Sequence, residues 1–191
     1  MSVTLLPSRR DGGGNHSFSR KFASITAVLL SVILAGCADT VSAPTLSTPP
    51  IVAFDATTAP IGPVSAEAAP GVPMESYDLE RVTQTVQSDL AATYPARIVG
   101  GGASSPREVK IHMIFTAYDK GNAFARAMLA GLGQIHIKAN VELIDANSGD
   151  VTATYAVSKT FAWGGIYGAS TSIEDVEKGF AASVAAIFKT S

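Results

Sequence analysis

The chain has 191 residues, of which 47% are hydrophobic and 16% are charged, and its formal net charge at pH 7 is −2. This slightly acidic balance excludes a strongly basic nucleic-acid-binding surface. A single cysteine excludes an internal disulfide framework and a metal site built from several thiolates. The length suits one ordinary domain next to a targeting segment.

The first predicted element is an export signal that ends at this cysteine. Arg20 and Lys21 precede the apolar run 22–35, which is shorter than the roughly 20 residues that a membrane-spanning helix needs. A positive flank, a short apolar run and small residues before the cut are the parts of a cleavable signal.

The end of this signal, Leu34-Ala35-Gly36-Cys37, resembles the lipobox of bacterial lipoproteins. The resemblance implies cleavage between Gly36 and Cys37, a diacylglyceryl group on the Cys37 sulfur and further acylation, for example by palmitate, of the new amino terminus. The alternative is an ordinary secretory signal, with Cys37 as a chance free thiol.

Composition and the residue after the cysteine predict how the mature chain is held. Removing residues 1–36 takes away four basic residues and one acidic residue, so attachment would come from lipid and not from a basic surface. An Asp directly after the cysteine usually retains lipoproteins in the inner membrane of enteric bacteria, and Ala38 stands there instead. We therefore expect the outer membrane, with the domain facing the periplasm; the inner membrane and the cell surface are the alternatives.

Residues 38–73 are predicted to be a tether between Cys37 and the domain. Seven of the ten prolines lie here among alanine, serine and threonine, which leaves too little apolar surface to fold alone. As a flexible coil the tether would reach about 30–36 Å and hold the domain clear of the bilayer. The apolar run 51–54 is a possible first strand, and a single domain is predicted over 74–191.

Five elements are predicted within this domain. Apolar residues three or four positions apart predict a helix over 76–93, which Pro95 ends. Alternating patterns predict strands over 108–118, 134–144 and 150–161, the last two joined by a hairpin turn at 147–149. A capping box, either Thr171 with Glu174 or Ser172 with Asp175, begins a last helix over 172–189.

The order of elements is therefore (β)-α-β-β-β-α, and the predicted fold class is α+β. We expect an antiparallel sheet of three to four strands with two helices packed on one face. Alternation also predicts the inward-facing side chains of the first and last main strands, which are Val109, Ile111, Met113, Phe115 and Ala117, and Val151, Ala153, Tyr155 and Val157.

Candidate chemical motifs in the domain do not form a catalytic constellation. His112 and His136 are predicted to lie about 13 Å apart on polar strand faces, too far to share a metal. The acidic loop 145–150 lacks the glycine and glutamate positions of an EF-hand, and the glycine loop 164–168 lacks the Lys-Ser/Thr of a phosphate loop. We therefore predict no catalytic residue, no metal and no cofactor, and a protein that is not an enzyme.

The segment 121–133 is the candidate contact surface. It connects two predicted strands, yet it contains several large apolar side chains around one arginine, and exposed apolar patches often mark partner or ligand contacts. The alternative is a short helix packed over the edge of the sheet. The candidate interaction residues are Phe124, Arg126, Met128, Leu129 and Leu132.

Several of these features together resemble a family of small bacterial lipoprotein domains of unknown function, across about 108–189. The features are Gly121-Asn122, Arg126, Gly131-x-Gly133, the hairpin 145–149, the glycine loop 164–168 and an alanine-rich last helix. The resemblance implies an envelope location and brings no catalytic residues.

The sequence thus favours a membrane-anchored envelope lipoprotein with a non-enzymatic interaction or assembly role. Its expected partners are the membrane, through the lipid on Cys37, and an envelope protein, but not nucleic acid. One alternative is a periplasmic binding module with a small or amphiphilic ligand held under 121–133. A weaker alternative is a hydrolase that uses His112 or His136.

Overall fold

A mixed β-sheet supports the helices in the computed structural model, which describes residues 40–41, 44–48, 55–99, 107–129, 132–162 and 170–189. These residues all belong to one unit, Ala38–Ser191. The predicted lipidation site Cys37, the possible strand 51–54 and the glycine loop 164–168 lie outside the described residues. The described elements, in chain order, are β1 (Thr40–Val41), β2 (Thr45–Thr48), β3 (Ile61–Ala68), α1 (Ser76–Thr93), β4 (Val109–Asp119), α2 (Ala123–Met128), β5 (Ile135–Asp145), β6 (Val151–Phe161) and α3 (Ile173–Ala185).

The sheet has the order β6-β5-β4-β3, and β1 and β2 both pair along the outer edge of β6. Six strands therefore fill five positions in the described part of the chain. The pairs among β4, β5 and β6 are antiparallel, whereas β3 is parallel to β4. Parallel neighbours need a crossover connection, which α1 supplies. The α+β class is confirmed, but the sheet is mixed and wider than predicted, and α2 is a third helix among the described residues.

The sheet includes residues that the sequence predicted to be tether. β1, β2 and β3 all fall between 38 and 73, so the prediction of a free linker is wrong at these residues. In β3, the alternation that marks a strand is weak because only Ile61 and Val64 are buried. Pro63 is tolerated because β3 lies at the sheet edge, with a register shift between Ile61 and Val64.

The buried side of β5 matches the predicted pattern, while β4 and β6 depart from it. A register shift between Phe115 and Ala117 reverses the alternation of β4, so that Tyr118 is buried instead of Ala117. In β6, Ala153 and Val157 are buried as predicted. Tyr155 is half-buried and packs against the core, as predicted. Val151 is exposed, because the register shifts beside the hairpin turn. The buried side chains of β5 are Ile135, Ile137, Ala139, Val141 and Leu143.

The two predicted long helices pack against each other and against the sheet. α1 has the predicted bounds, although Glu75, together with Asp78, forms its capping box. α3 begins with the capping box of Ser172 and Asp175, and it ends at Ala185 in a 3-10 turn, Ala186–Phe188. Within the described ranges, no helix combines the length and apolar character needed to cross a membrane.

Candidate functional site

The most exposed large apolar side chains of the described residues lie on the connection between β4 and β5. The exposed fraction is 73% for Phe124, 67% for Met128, 57% for Leu132 and 52% for Leu129. We call these four side chains the apolar segment. α2 carries the first two, and its first turn is capped by the Asn122 Oδ1 atom, which accepts the Ala125 N–H at 2.9 Å. The short helix of the alternative interpretation is present, but these side chains face outward.

Arg126, the fifth candidate contact residue, is not part of this surface, because only 4% of it is exposed. Its guanidinium donates to the Gly133 carbonyl at 2.8 Å and to the Thr171 carbonyl at 3.0 Å. Arg126 thus joins α2 to the end of its own connection and to the chain just before α3. Its role in the structure is to position the apolar segment.

Two glycines close the connection at its base. Gly121 and Gly133 have φ angles of +65° and +70°, a conformation that side chains other than glycine rarely adopt. The Asn122 N–H donates to the Gly133 carbonyl at 3.2 Å. A Cβ atom on Gly133 would collide with the Asn122 carbonyl, and one on Gly121 with the Gly133 carbonyl. The backbone entering the connection at Gly121 and the backbone leaving it at Gly133 are therefore held close together. We call this closed base the glycine neck. It limits the orientations that the apolar segment can adopt.

A buried charged cluster lies at the same end of the sheet, where α1 and α3 begin and β4 ends. It consists of Asp78, Arg81, Tyr118, Lys120 and Glu177. The two carboxylates are 0% and 1% exposed. The Arg81 guanidinium donates to both oxygens of Glu177 and to Asp78, each at 2.9 Å, so one side chain bridges the two acids.

The other two members complete the hydrogen bonding of the carboxylates. Tyr118 donates to Glu177 at 2.6 Å, and Lys120 contacts Asp78 at 2.9 Å. Burial, followed by the bond to Glu177, raises the pKa of Tyr118 far above its usual range. Burial alone would raise the pKa of Asp78, but hydrogen bonds from Lys120, the Glu75 N–H and Arg81 outweigh it and lower the pKa. Asp78 therefore stays ionised at neutral pH and acts as a fixed acceptor.

An open groove of about 660 Å³ lies beside the cluster. Its walls come from residues 71–73 and 116–120, including Tyr118 and Lys120. The four side chains of the apolar segment are not among its lining residues. The groove is thus separate from the site under 121–133 in which the sequence suggested a ligand.

The two histidines lie on the face of the sheet away from the core. His112 pairs with Glu142 and His136 with Asp119, so the predicted register is off by two to three residues and the histidines are about 20 Å apart along the strands. The His112 Nδ1 lies 2.9 Å from the Ser65 hydroxyl, and the His136 Nδ1 lies 2.5 Å from the Thr160 hydroxyl. Burial, and then the charge of Lys138, lowers the pKa of His136.

Sequence reasoning missed the charged cluster, although its residues left local signals. Asp78 stands four residues before Val82 and so belongs to the buried stripe of α1. Glu177 lies between Val176 and Phe180 on the buried face of α3. Polar residues at buried helical positions indicate an internal partner, but they do not identify it.

We expect Arg81→Met to lower the free energy of unfolding by about 3–5 kcal/mol, because it removes the guanidinium that pairs with the buried Glu177 carboxylate and leaves Asp78 paired with Lys120 alone. Urea unfolding followed by circular dichroism measures this change. Lys178→Met is the matched control, since Lys178 pairs with Asp175 at the surface at 3.4 Å, and it should cost less than about 1 kcal/mol. Equal costs for the two variants would show that the cluster does not hold the helices.

The lowered pKa of Asp78 also sets a pH dependence. Because the folded-state pKa lies below the ordinary value of 3.8, the stabilisation by Asp78 is complete above that value and is lost as the pH falls through the folded-state pKa. We expect the free energy of unfolding to fall at acidic pH, and to fall less steeply in Asp78→Asn. Urea titrations at a series of pH values measure both slopes; identical slopes would contradict this assignment.

Comparison with protein families gives a match that covers the four strands β3 to β6 but not β1 and β2. The family model of a domain of unknown function, DUF4410, matches residues 54–165, which run from before β3 to just after β6 and include the apolar segment with its neck. None of the curated proteins compared with the chain matches it.

Three solved structures resemble the chain at low identity. The PelC dodecamer from Paraburkholderia phytofirmans is 15% identical with a TM-score of 0.44, covering 75% of this chain and 96% of that one. Protein XCC0632 from Xanthomonas campestris is 13% identical with a TM-score of 0.44, covering 76% and 92%. A protein from Caulobacter crescentus CB15, described as a "putative lipoprotein", is 18% identical with a TM-score of 0.37, covering 64% and 81%.

Similarities at these levels transfer no ligand, assembly or activity to this chain. The family match is of a different kind, because it covers more than half of the residues. The chain belongs to the DUF4410 family of domains of unknown function.

Proposed function

We propose that this chain is a lipid-anchored envelope protein with a non-enzymatic interaction or assembly role. Cleavage between Gly36 and Cys37 leaves Cys37 as the amino-terminal residue that carries the lipid. The domain is held at the outer membrane and faces the periplasm. The support for the anchor is in the sequence, where a positive flank, a short apolar run and small residues precede the single cysteine. Two or three acyl chains hold a protein stably at a membrane, whereas one binds only reversibly.

The observation that carries the interaction role is the apolar segment. Its four side chains are each more than half exposed, while buried bonds of Arg126 hold the chain that presents them. Full burial of one such side chain contributes about 1.5–3 kcal/mol. Because the four are on average about 60% exposed, covering their exposed area would contribute about 4–7 kcal/mol before the entropic costs of association. Envelope proteins and the bilayer both offer an apolar surface that could cover them.

The remaining chemistry of the described residues gives less support to the other candidates. The groove beside Tyr118 favours a binding module for a small or amphiphilic ligand only weakly, because it is open and the apolar segment does not line it. A hydrolase is supported still less, since His112 and His136 lie far apart on one sheet face. The charged cluster gives a hydrolase no further support, because ion pairs and hydrogen bonds already engage both of its carboxylates.

We expect Cys37→Ser to abolish lipidation, because a hydroxyl does not replace the thiol that carries the diacylglyceryl group. The measurement is the mass of the amino-terminal peptide from membrane-purified protein, with membrane fractionation alongside. The wild-type peptide should begin at Cys37 and carry acyl mass, and so should the neighbouring control Ala38→Ser. A wild-type peptide without acyl mass would overturn the proposed anchor.

Methionine oxidation tests whether something covers the apolar segment in the cell envelope. We expect hydroxyl radicals to oxidise Met128 several-fold more slowly in native envelopes than in the purified soluble domain, because its partner excludes water. Val151→Met supplies a matched reference, since Val151 is exposed at the start of β6, away from the segment. This reference should react equally in both preparations.

Slower oxidation of Met128 in envelopes would show that a protein or the bilayer covers the segment there. Equal reactivity in envelopes and in the purified domain would mean that the segment has no partner there. The buried Met113 reports in the same sample whether the domain is folded.

A further inference from the structure

The pairing of β1 shows at which end of the sheet the chain approaches from the lipidation site. Thr40 pairs with Thr160, and Val41 pairs with Lys159. Followed backward from Val41, the chain therefore runs toward Phe161, the last residue of β6. Phe161 pairs with Ile135, the first residue of β5. The connection that carries the apolar segment enters β5 at this same end.

Chain length then limits the distance between the anchor and the sheet. Cys37 precedes Thr40 by three residues, and an extended chain spans at most about 3.6 Å per residue, so the two Cα atoms lie within about 11 Å of each other. This limit replaces the reach of about 30–36 Å that a free tether would have had. The domain cannot stand far from the bilayer if Cys37 is lipidated.

The connection that carries the apolar segment leaves the sheet at a comparable distance from β1. From β1, the strands β5 and β4 are two and three positions away in the sheet, which corresponds to about 10–14 Å at roughly 4.8 Å per strand. The lipid on Cys37 and the apolar segment therefore reach the same small area of one leaflet. Within the described part of the connection, the charged side chain, Arg126, is turned inward, so the outward face carries no charged side chain.

We propose that Phe124, Met128, Leu129 and Leu132 insert into the interfacial region of the same bilayer that holds the Cys37 lipid. This inference rests on the proposed lipidation and names the bilayer as the surface that covers the segment. Because several acyl chains already retain the protein, the insertion sets the orientation of the domain. With two attachment points close together at one end of the sheet, the opposite end, with Val151, faces away from the membrane.

A fluorescent label tests the insertion directly. The mature lipidated chain is purified with a single new cysteine, Met128→Cys or Val151→Cys, labelled with an environment-sensitive dye, and reconstituted in vesicles of phosphatidylethanolamine and phosphatidylglycerol. The thiol of Cys37 is occupied by lipid, so the label goes to the new cysteine. We expect a blue-shifted emission, quenched several-fold by spin-labelled lipids, at position 128 and not at position 151.

A double variant separates insertion from folding. Phe124→Asp with Leu129→Asp changes exposed side chains, so the domain should stay folded and vesicle-bound through its lipid, while the label at position 128 becomes accessible to water. A label at position 128 that is already water-accessible in the otherwise unchanged lipidated chain overturns the proposal. Shielding that arises only after envelope protein is added overturns it in favour of a protein partner.

The amino-terminal mass distinguishes this proposal from the one on which it depends. If the peptide carries acyl mass and the label at position 128 remains accessible to water, the insertion is contradicted while the lipid anchor stands. If the peptide carries no acyl mass, the lipid anchor and the insertion fail together.

Discussion

The double ion pair of Arg81 with Asp78 and Glu177 is the interaction on which the organisation of this domain depends. The residues that meet there are distant in the chain, since Arg81 and Glu177 are 96 positions apart. They join the first turns of α1 and α3 to the end of β4 through Tyr118. Removing one partner would leave a buried charge uncompensated, which is far more costly than losing a surface pair.

This cluster also holds the backbone that leads into the apolar segment. After β4 ends at Asp119, the chain passes through Lys120 directly into the glycine neck at Gly121. Lys120 contacts the Asp78 carboxylate and donates to the Tyr77 hydroxyl. A second tie, from Arg126 to Thr171, connects the far side of the segment to the start of α3. The backbone beneath the exposed apolar side chains is therefore braced and has little conformational freedom left to lose when they are covered, which favours association.

The sequence revealed elements whose signals are local. The strict alternation of β5 predicted every buried residue of that strand, and the apolar spacing together with Pro95 predicted the bounds of α1. The shift after Phe115 that buries Tyr118 has no comparable signal, because pairing with β5 determines the register. β3 was hidden by its linker-like composition, since an edge strand with one neighbour needs few apolar residues.

The candidate site shows the same division. Its four exposed apolar side chains could be singled out because large side chains are unusual in a short connection rich in alanine and glycine. The inward position of Arg126 could not be found, because its acceptors at Gly133 and Thr171 meet it only in the folded structure. The predicted tether failed for the same reason, since β1 and β2 are held by pairing with β6, more than 100 positions away.

In the proposed arrangement, a lipid at Cys37 and the apolar segment together hold one end of the sheet against the bilayer. Photoactivatable phospholipids incorporated into native envelopes, with crosslinked peptides identified by mass spectrometry, test this arrangement. We expect lipid adducts on the peptide that contains Phe124 and Met128, and none on the peptide that contains Val151. Adducts that spread equally over both peptides, or that are absent from the first, would contradict it.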